Sequence, residues 1–288
     1  MRFATVRTAS GTRAARVDGA DDDAPLTLLP YPDVGALLDA VEWRQAGAAA
    51  GEPGGPVGEA DLGPVVPAPS KVMCLGLNYR THISEMGREL PSHPTLFGKF
   101  AQSLLGPRDD LVLPAASDQV DWEAELAIVI GASARHASVD QAAAAIAGYT
   151  MLNDVSMRDW QWRTSQWLQG KTFEASTPLG PVLVTPDELP HVDDRVDVRV
   201  TCLVDDELRQ QARTSDLLFP PAEIVAYIST FCTLYPGDVV STGTPGGVGS
   251  AGTPPVFLQD GQVVVVRGEG IGACVNTCVA EAVSTVTT

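Results

Sequence analysis

The chain has 288 residues, 44% of them hydrophobic, and a net charge of −17. That length and apolar fraction support a sizeable core and exclude a disordered chain, and the acidic balance argues against nucleic acid or an anionic membrane surface as partner, since both select basic patches. No apolar run approaches the roughly 20 residues of a membrane span, the first residues carry no signal-peptide core, and five cysteines without a Cys-x-x-Cys pair fit a reducing cytoplasm better than a disulfide framework or a zinc knuckle.

Two short strands are expected around residues 3–7 and 13–17, then a helix after Asp33 over 34–43. Residues 45–70 are rich in Gly, Ala and Pro and read as a linker. These segments make a small N-terminal α+β unit with its linker, 1–69, ahead of a main domain, 70–288. From Lys71 onward a strand at 72–77 precedes a helix at 78–89. A further strand covers 120–130. Ser138 with Gln141 forms a capping box that starts a helix running to Ala147, with Gly148 as its stop. Past Thr185 strands dominate, at 196–204, 263–266 and, after the turn Pro236-Gly237-Asp238, at 239–242. Cys274 and Cys278 lie an even number apart in a strand-like segment, which points to packing on one face. The fold class predicted is mostly β with short helices (α+β).

The strand at 120–130 carries the most chemical information. Val120, Trp122, Leu126, Ile128 and Ile130 alternate, so Asp121, Glu123 and Glu125 share the opposite face. Two carboxylates about 4 Å apart repel by roughly 4 kcal/mol at an effective dielectric near 20. A hard divalent cation with oxygen ligands would offset that repulsion. A solvated acidic face on an amphipathic strand gives the same pattern.

Four other segments carry candidate groups. If Asp154 opens a helix, Asp154, Arg158 and Gln161 fall at i, i+4 and i+7 on one face. A carboxylate, a guanidinium and an amide there suit a metal ligand beside groups that hold an anionic oxygen substrate. A plain i, i+4 salt bridge is the alternative, although Trp160, Trp162 and Trp167 make a simply solvated helix unusual. His82 and Glu85 lie one helical turn apart, the arrangement a general base requires, and equally that of a surface ion pair. Lys171, among turn residues, could face an oxyanion. The glycine-rich run 241–249 lacks the Gly-Lys-Ser/Thr ending of a phosphate loop and reads as a loop bringing backbone N–H groups and the Thr244 hydroxyl to a small ligand.

Taken together and in this order, these motifs resemble the fumarylacetoacetate hydrolase family over roughly residues 71–281. The resemblance implies a mixed β-roll and a divalent metal, Mg²⁺ or Mn²⁺ with Ca²⁺ as a further candidate, held by Glu123, Glu125 and Asp154. It implies a lid helix bearing His82 and Glu85, substrate binding by Arg158, Gln161 and Thr244, and an active-site Lys171. Glu174 stands where that family usually has Asp, and Met157 where a small residue is common, which narrows or reshapes the pocket. The activity implied is metal-dependent hydrolysis of a carbon–carbon bond in an acylpyruvate-like 1,3-diketo acid through an enolate, with His82, oriented by Glu85, activating water. Decarboxylation of a β-keto acid and isomerisation of a 2-hydroxy-dienoate share that enolate and stand as alternatives. A non-catalytic metal-dependent binding protein is a third, for which a general base would have no use. A small keto acid is the expected partner, and a symmetric homodimer the expected assembly.

Overall fold

The computed structural model describes residues 1–85, 87 and 89–282, without the Glu85 side chain. Two sheets dominate. The larger has eleven strands and runs, from edge to edge, through Glu52–Pro56, Pro25–Leu28, Gly11–Val17, Arg2–Thr8, Thr177–Val184, Ile146–Asn153, Ala124–Ile130, Val239–Ser241, Val72–Gly76 and Thr95–Lys99, with the two-residue Leu104–Leu105 pairing with Thr177–Val184 off this path. The smaller has five strands in the order Glu207–Arg213, Arg199–Val204, Val263–Gly268, Gly272–Ala280 and Leu111–Leu113. Short helices sit at the margins, so the mostly β fold class holds.

Ala124–Ile130 lies near the middle of the larger sheet and is buried along its whole length. Leu126, Ile128 and Ile130 enter a core that also takes Val200, Cys202, Val264 and Val266 from the smaller sheet. Ala127 and Val129 point to a second core, with Leu37 and Leu38 of the helix Val34–Leu38. A strand flanked by two cores needs apolar residues at both parities, which explains the unbroken apolar run after Glu125. Cys274 and Cys278 both pack in the core between the sheets, as their spacing predicts.

Several local expectations need correction. The strand at 120–130 is interrupted. Val120–Asp121 pairs with Ser156–Met157, and pairing resumes only at Ala124. Side chains take the backbone N–H groups in the gap: Asp121 accepts from Trp122 and Asn153 accepts from Glu123. The helix after Asp33 splits into Val34–Leu38 and Trp43–Ala48 around Glu42, whose φ of 58° breaks the helical path. The capping box at Ser138 forms, but the helix ends at Ala145. Gly148 is no stop. It lies inside a strand, where a Cβ would meet the Val184 carbonyl oxygen at 2.3 Å.

The expected linker, 45–70, contains Glu52–Pro56, an edge strand of the larger sheet. Prolines and glycines are tolerated there because one side of an edge strand has no ladder to complete. Arg2–Thr8 pairs with Thr177–Val184, so the larger sheet runs across the 69/70 division read from composition. Among the described residues, no helix is long and apolar enough to cross a membrane.

Candidate active site

The register of the larger sheet assembles the acidic cluster. Ala124 pairs with Asn153 across an antiparallel ladder. The residues just beyond, Glu123 and Asp154, therefore meet, and the Asp154 N–H donates to the Glu123 carbonyl at 2.9 Å. Glu125 lies two residues along. One carboxylate oxygen from each of Glu123, Glu125 and Asp154 lies within 4.8 Å of the others.

Three buried cations surround these acids. Lys171, closing the helix Leu168–Lys171, sits 2.7 Å from Glu123 and 2.8 Å from Asp154. Lys99, at the end of the edge strand Thr95–Lys99, sits 2.6 Å from the other Asp154 oxygen. Arg158 pairs through Nε with Asp121 at 2.8 Å and through Nη1 with Glu123 at 2.6 Å, and Nη1 also donates to Gln161 Oε1 at 2.9 Å. Counting Asp121, four carboxylates face three cations. Burial alone would raise the Asp154 carboxyl, but Lys171 and Lys99 outweigh it and hold that group down at about 2. Burial would lower the Lys171 ammonium, yet Asp154 and Glu123 keep it above its ordinary value.

Glu125 differs from its neighbours. Its Oε2 accepts from the Ser241 hydroxyl and from the Gly243 N–H, the latter at 2.8 Å, whereas Oε1 is buried without a hydrogen-bond partner. Burial, reinforced by the charges of Asp154 and Glu123, pushes this carboxyl well above the usual range. A net-negative oxygen cluster with one orphaned buried oxygen fits a hard divalent cation.

Beside the cluster opens a cavity of about 340 Å³. Glu123, Arg158, Gln161, Lys171, Thr244 and His82 supply its polar lining, and Leu75, Phe97, Trp162 and Trp167 its apolar walls. Arg158 Nη2 is buried and has no hydrogen-bond partner. The Thr244 hydroxyl donates to the Ala124 carbonyl at 3.1 Å and accepts from Gln210 at 2.8 Å, which fixes its loop to the strand bearing Glu125. His82 lies on the helix Arg80–Glu85, just after Asn78. The buried Asn78 side chain donates to the carbonyls of Phe219 and Thr242 and accepts from the Phe219 N–H, tying the base of that helix to the loop leading to Thr244. The Glu85 side chain lies outside the described residues, so the expected His82–Glu85 pair does too.

A family model for the C-terminal domain of fumarylacetoacetate (FAA) hydrolase matches residues 71–279. The chain belongs to the fumarylacetoacetate hydrolase family. Among this family's members, the mitochondrial oxaloacetate tautomerase FAHD2A of Homo sapiens is 40% identical over 276 residues, covering 95% of this chain and 86% of the human protein. The crystal structure of a 5-carboxymethyl-2-hydroxymuconate delta-isomerase from Mycobacterium smegmatis is 34% identical with a TM-score of 0.78, covering 98% of this chain and all of that one. A fumarylacetoacetate hydrolase from psychrophilic Exiguobacterium antarcticum is 31% identical with a TM-score of 0.83, at the same coverage.

Within this family member, the described candidate residues gather at one cavity and the acidic cluster beside it, but one route to them differs from expectation. Asp154 opens no helix. It directly follows the strand Ile146–Asn153, and Arg158 begins a separate four-residue helix, so the i, i+4 ion pair is replaced by Asp154 with two lysines and Arg158 with Asp121 and Glu123. Lys171 is helical rather than in a turn. Sequence reasoning missed Lys99, whose signal is a lone lysine between Phe97 and Phe100. It also assigned no role to Gln210 or Ser241, and none to Asp121 beyond its place on an acidic face.

The helices carrying Arg158 and Lys171 touch through Gly170. A Cβ there would meet the Gln161 backbone N at 2.4 Å and the Met157 carbonyl oxygen at 2.6 Å. Backbone atoms cannot swing aside, so Gly170→Ala must part the two helices. We expect a loss of about 1–3 kcal/mol in stability and a fall in activity of on the order of 10²-fold as Lys171 moves from Glu123 and Asp154. Thermal melts and steady-state rates check this; wild-type values for both would contradict it.

Proposed function

We propose that this chain interconverts the enol and keto forms of a small 2-oxo acid with a second carboxylate, of the oxaloacetate class. The observation that carries this reading is the buried Arg158 guanidinium, which belongs to a residue lining the cavity beside the three-carboxylate cluster and whose Nη2 has no hydrogen-bond partner. It is an anion anchor next to a cation seat, as a 2-oxo carboxylate requires. The likeness to an oxaloacetate tautomerase over 95% of the chain and to a delta-isomerase over 98% supports proton transfer as the chemistry.

Glu123, Glu125 and Asp154 would hold Mg²⁺ or Mn²⁺, which when bound supplies Lewis-acid polarisation of the substrate's keto oxygen. Arg158 binds the adjacent carboxylate and Gln161 holds that guanidinium in place. Lys171 fixes the orientation of Glu123 and Asp154 and adds positive charge where the enolate forms. His82, which lines the cavity, moves the proton at carbon 3. The apolar walls exclude water that would quench the enolate.

Acylpyruvate hydrolysis is the second reading, supported by the likeness to the E. antarcticum hydrolase. We also propose a homodimer in the cytoplasm.

Enol-oxaloacetate decay followed in the ultraviolet, with pyruvate and carbon dioxide assayed in parallel, separates the reactions. Accelerated decay without either product is the expected result. Pyruvate plus a second acid from an acylpyruvate favours hydrolysis, carbon dioxide favours decarboxylation, and no turnover leaves a binding protein. His82→Ala should slow the reaction by about 10²–10⁴-fold. A rate unaffected by chelation and by that substitution would sink both the cation and the base.

A further inference from the structure

Three aromatic rings lead away from the acidic cluster along one wall of the cavity. Lys171 Nζ, which pairs with Glu123 and Asp154, lies 5.1 Å from the centroid of the Phe97 ring. Phe97 meets Trp167 edge to face with ring centroids 5.5 Å apart, and Trp167 meets Trp162 in the same way at 5.9 Å. Phe97, Trp162 and Trp167 all line the cavity, and Leu75 and Leu77 line it with them. Exposure rises along the series: Lys171 is buried, Phe97 and Trp167 are half-buried, and Trp162 is 62% exposed.

Trp167 is the fixed member. A Cβ at Gly76 would stand 2.6 Å from its ring, so the indole rests directly on the strand Val72–Gly76. Trp162 stands at 80° to it, and the two indoles make a corner of apolar faces. Trp160 shows what a structural tryptophan looks like in the same segment: the Arg163 guanidinium covers its ring at 3.4 Å and Phe173 packs on it at 5.3 Å. Trp162 instead leaves most of its surface open beside the cavity. A flat apolar group placed in that corner buries this surface and stacks on it. Among the described residues, Arg158 and Lys171 are the arginine and lysine lining the cavity, and both already pair with carboxylates. The aromatic wall itself carries no charge.

We propose that the site also interconverts the enol and keto forms of 2-oxo acids that bear an aryl group on carbon 3, and that Trp162 and Trp167 select the ring. This rests on the proposed function, in which Arg158 takes the carboxylate next to the keto group. With the keto oxygen turned to the acidic cluster, the substituent on carbon 3 lies along the aromatic wall. In the enol the aryl ring is conjugated with carbons 3 and 2 and lies in their plane, so the whole group is flat and fits the corner, stacked on one indole and edge-on to the other. The step balances without a further reactant. The enol hydroxyl gives up its proton and its oxygen becomes the carbonyl, while the carbon–carbon π pair takes up a proton at carbon 3.

Decay of enol-phenylpyruvate and of enol-oxaloacetate, each followed in the ultraviolet with the full chain and Mg²⁺, tests this. The wild type should accelerate both. Trp162→Leu keeps an apolar side chain without a ring. It should lower the ratio of kcat/KM for enol-phenylpyruvate to that for enol-oxaloacetate by about tenfold, the worth of one aromatic contact. Trp162→Phe should restore most of that ratio. The Mg²⁺-induced shift in melting, measured on both variants, reports that the fold and the cation seat are intact. Acceleration of the oxaloacetate enol alone, or a ratio that Trp162→Leu leaves unchanged, overturns the aryl site and leaves the proposed function standing. Acceleration of the phenylpyruvate enol alone supports the aryl site and overturns the oxaloacetate reading, and acceleration of neither overturns both.

Discussion

Replacing Glu125 by glutamine should stabilise the metal-free chain, abolish the stabilisation that Mg²⁺ gives the wild type, and lower activity by on the order of 10³-fold. The opposite signs come from one feature. Glu125 is fully buried next to Glu123 and Asp154, and one of its oxygens has no partner. Without a cation its charge is costly, and neutralising a buried uncompensated carboxylate should gain about 1–3 kcal/mol. Glutamine retains one acceptor for the Ser241 hydroxyl and the Gly243 N–H, and places an amide N–H₂ where the orphaned oxygen was. It cannot supply the negative oxygen a hard cation needs. The pH dependence separates the two forms further. An acid whose folded pKa is raised loses stability as pH climbs through its unfolded value, 4.5 here, because the unfolded chain releases the proton first. The metal-free wild type should therefore lose stability above about that pH through this group, and Glu125→Gln should not. At 100 times its dissociation constant a cation stabilises by about 2.7 kcal/mol. Melting curves with Mg²⁺ and with chelator read all three effects, and a Mg²⁺ shift of wild-type size in the variant would remove Glu125 from the cation seat.

The same residue shows how far a sequence can be read here. Alternation placed Glu123 and Glu125 on one face because strand geometry is local, and both do contribute to one cluster. Helical spacing would join Asp154 to Arg158 and Gln161, but Asp154 opens no helix. It arrives instead through the antiparallel pairing of Ala124 with Asn153, a long-range register that no spacing within the 154–161 segment encodes. Lys99 and Asp121 escaped for a related reason. A buried charge looks like any surface charge in a sequence until its partners are known, and the partners of Lys99 and Asp121 are 55 and 37 residues away. The glycine- and proline-rich segment misled in the other direction. Its composition speaks against regular structure, but an edge strand completes only one ladder, so Glu52–Pro56 can join the sheet.

Asp121→Asn should destabilise the chain by about 3–5 kcal/mol, the cost of breaking one side of a buried ion pair, and should raise KM more than it lowers kcat. The Asp121 carboxylate is fully buried and accepts from four donors: Arg158 Nε at 2.8 Å, and the N–H groups of Trp122 at 2.9 Å, Gly249 at 2.7 Å and Ser250 at 3.0 Å. Both oxygens are engaged, so an amide in either orientation turns N–H₂ toward other N–H groups. One side of that network is Arg158, which lines the cavity beside the carboxylates; the other is the loop of Val248, Ser250 and Ala251, which lines it too. Arg158 would keep Glu123 and Gln161 but lose the contact that directs its Nε, leaving Nη2 poorly aimed at the substrate carboxylate. An interaction made alike in the bound substrate and in the transition state appears mainly in KM. Glu123, Glu125 and Asp154 are untouched by the change, so the Mg²⁺-induced shift in melting should survive it, in contrast to Glu125→Gln. Denaturant unfolding and steady-state kinetics decide the matter. A variant as stable as the wild type would overturn the ion-pair role of Asp121, and one whose Mg²⁺ shift vanishes while KM stays constant would show that Asp121 serves the cation seat rather than the arginine.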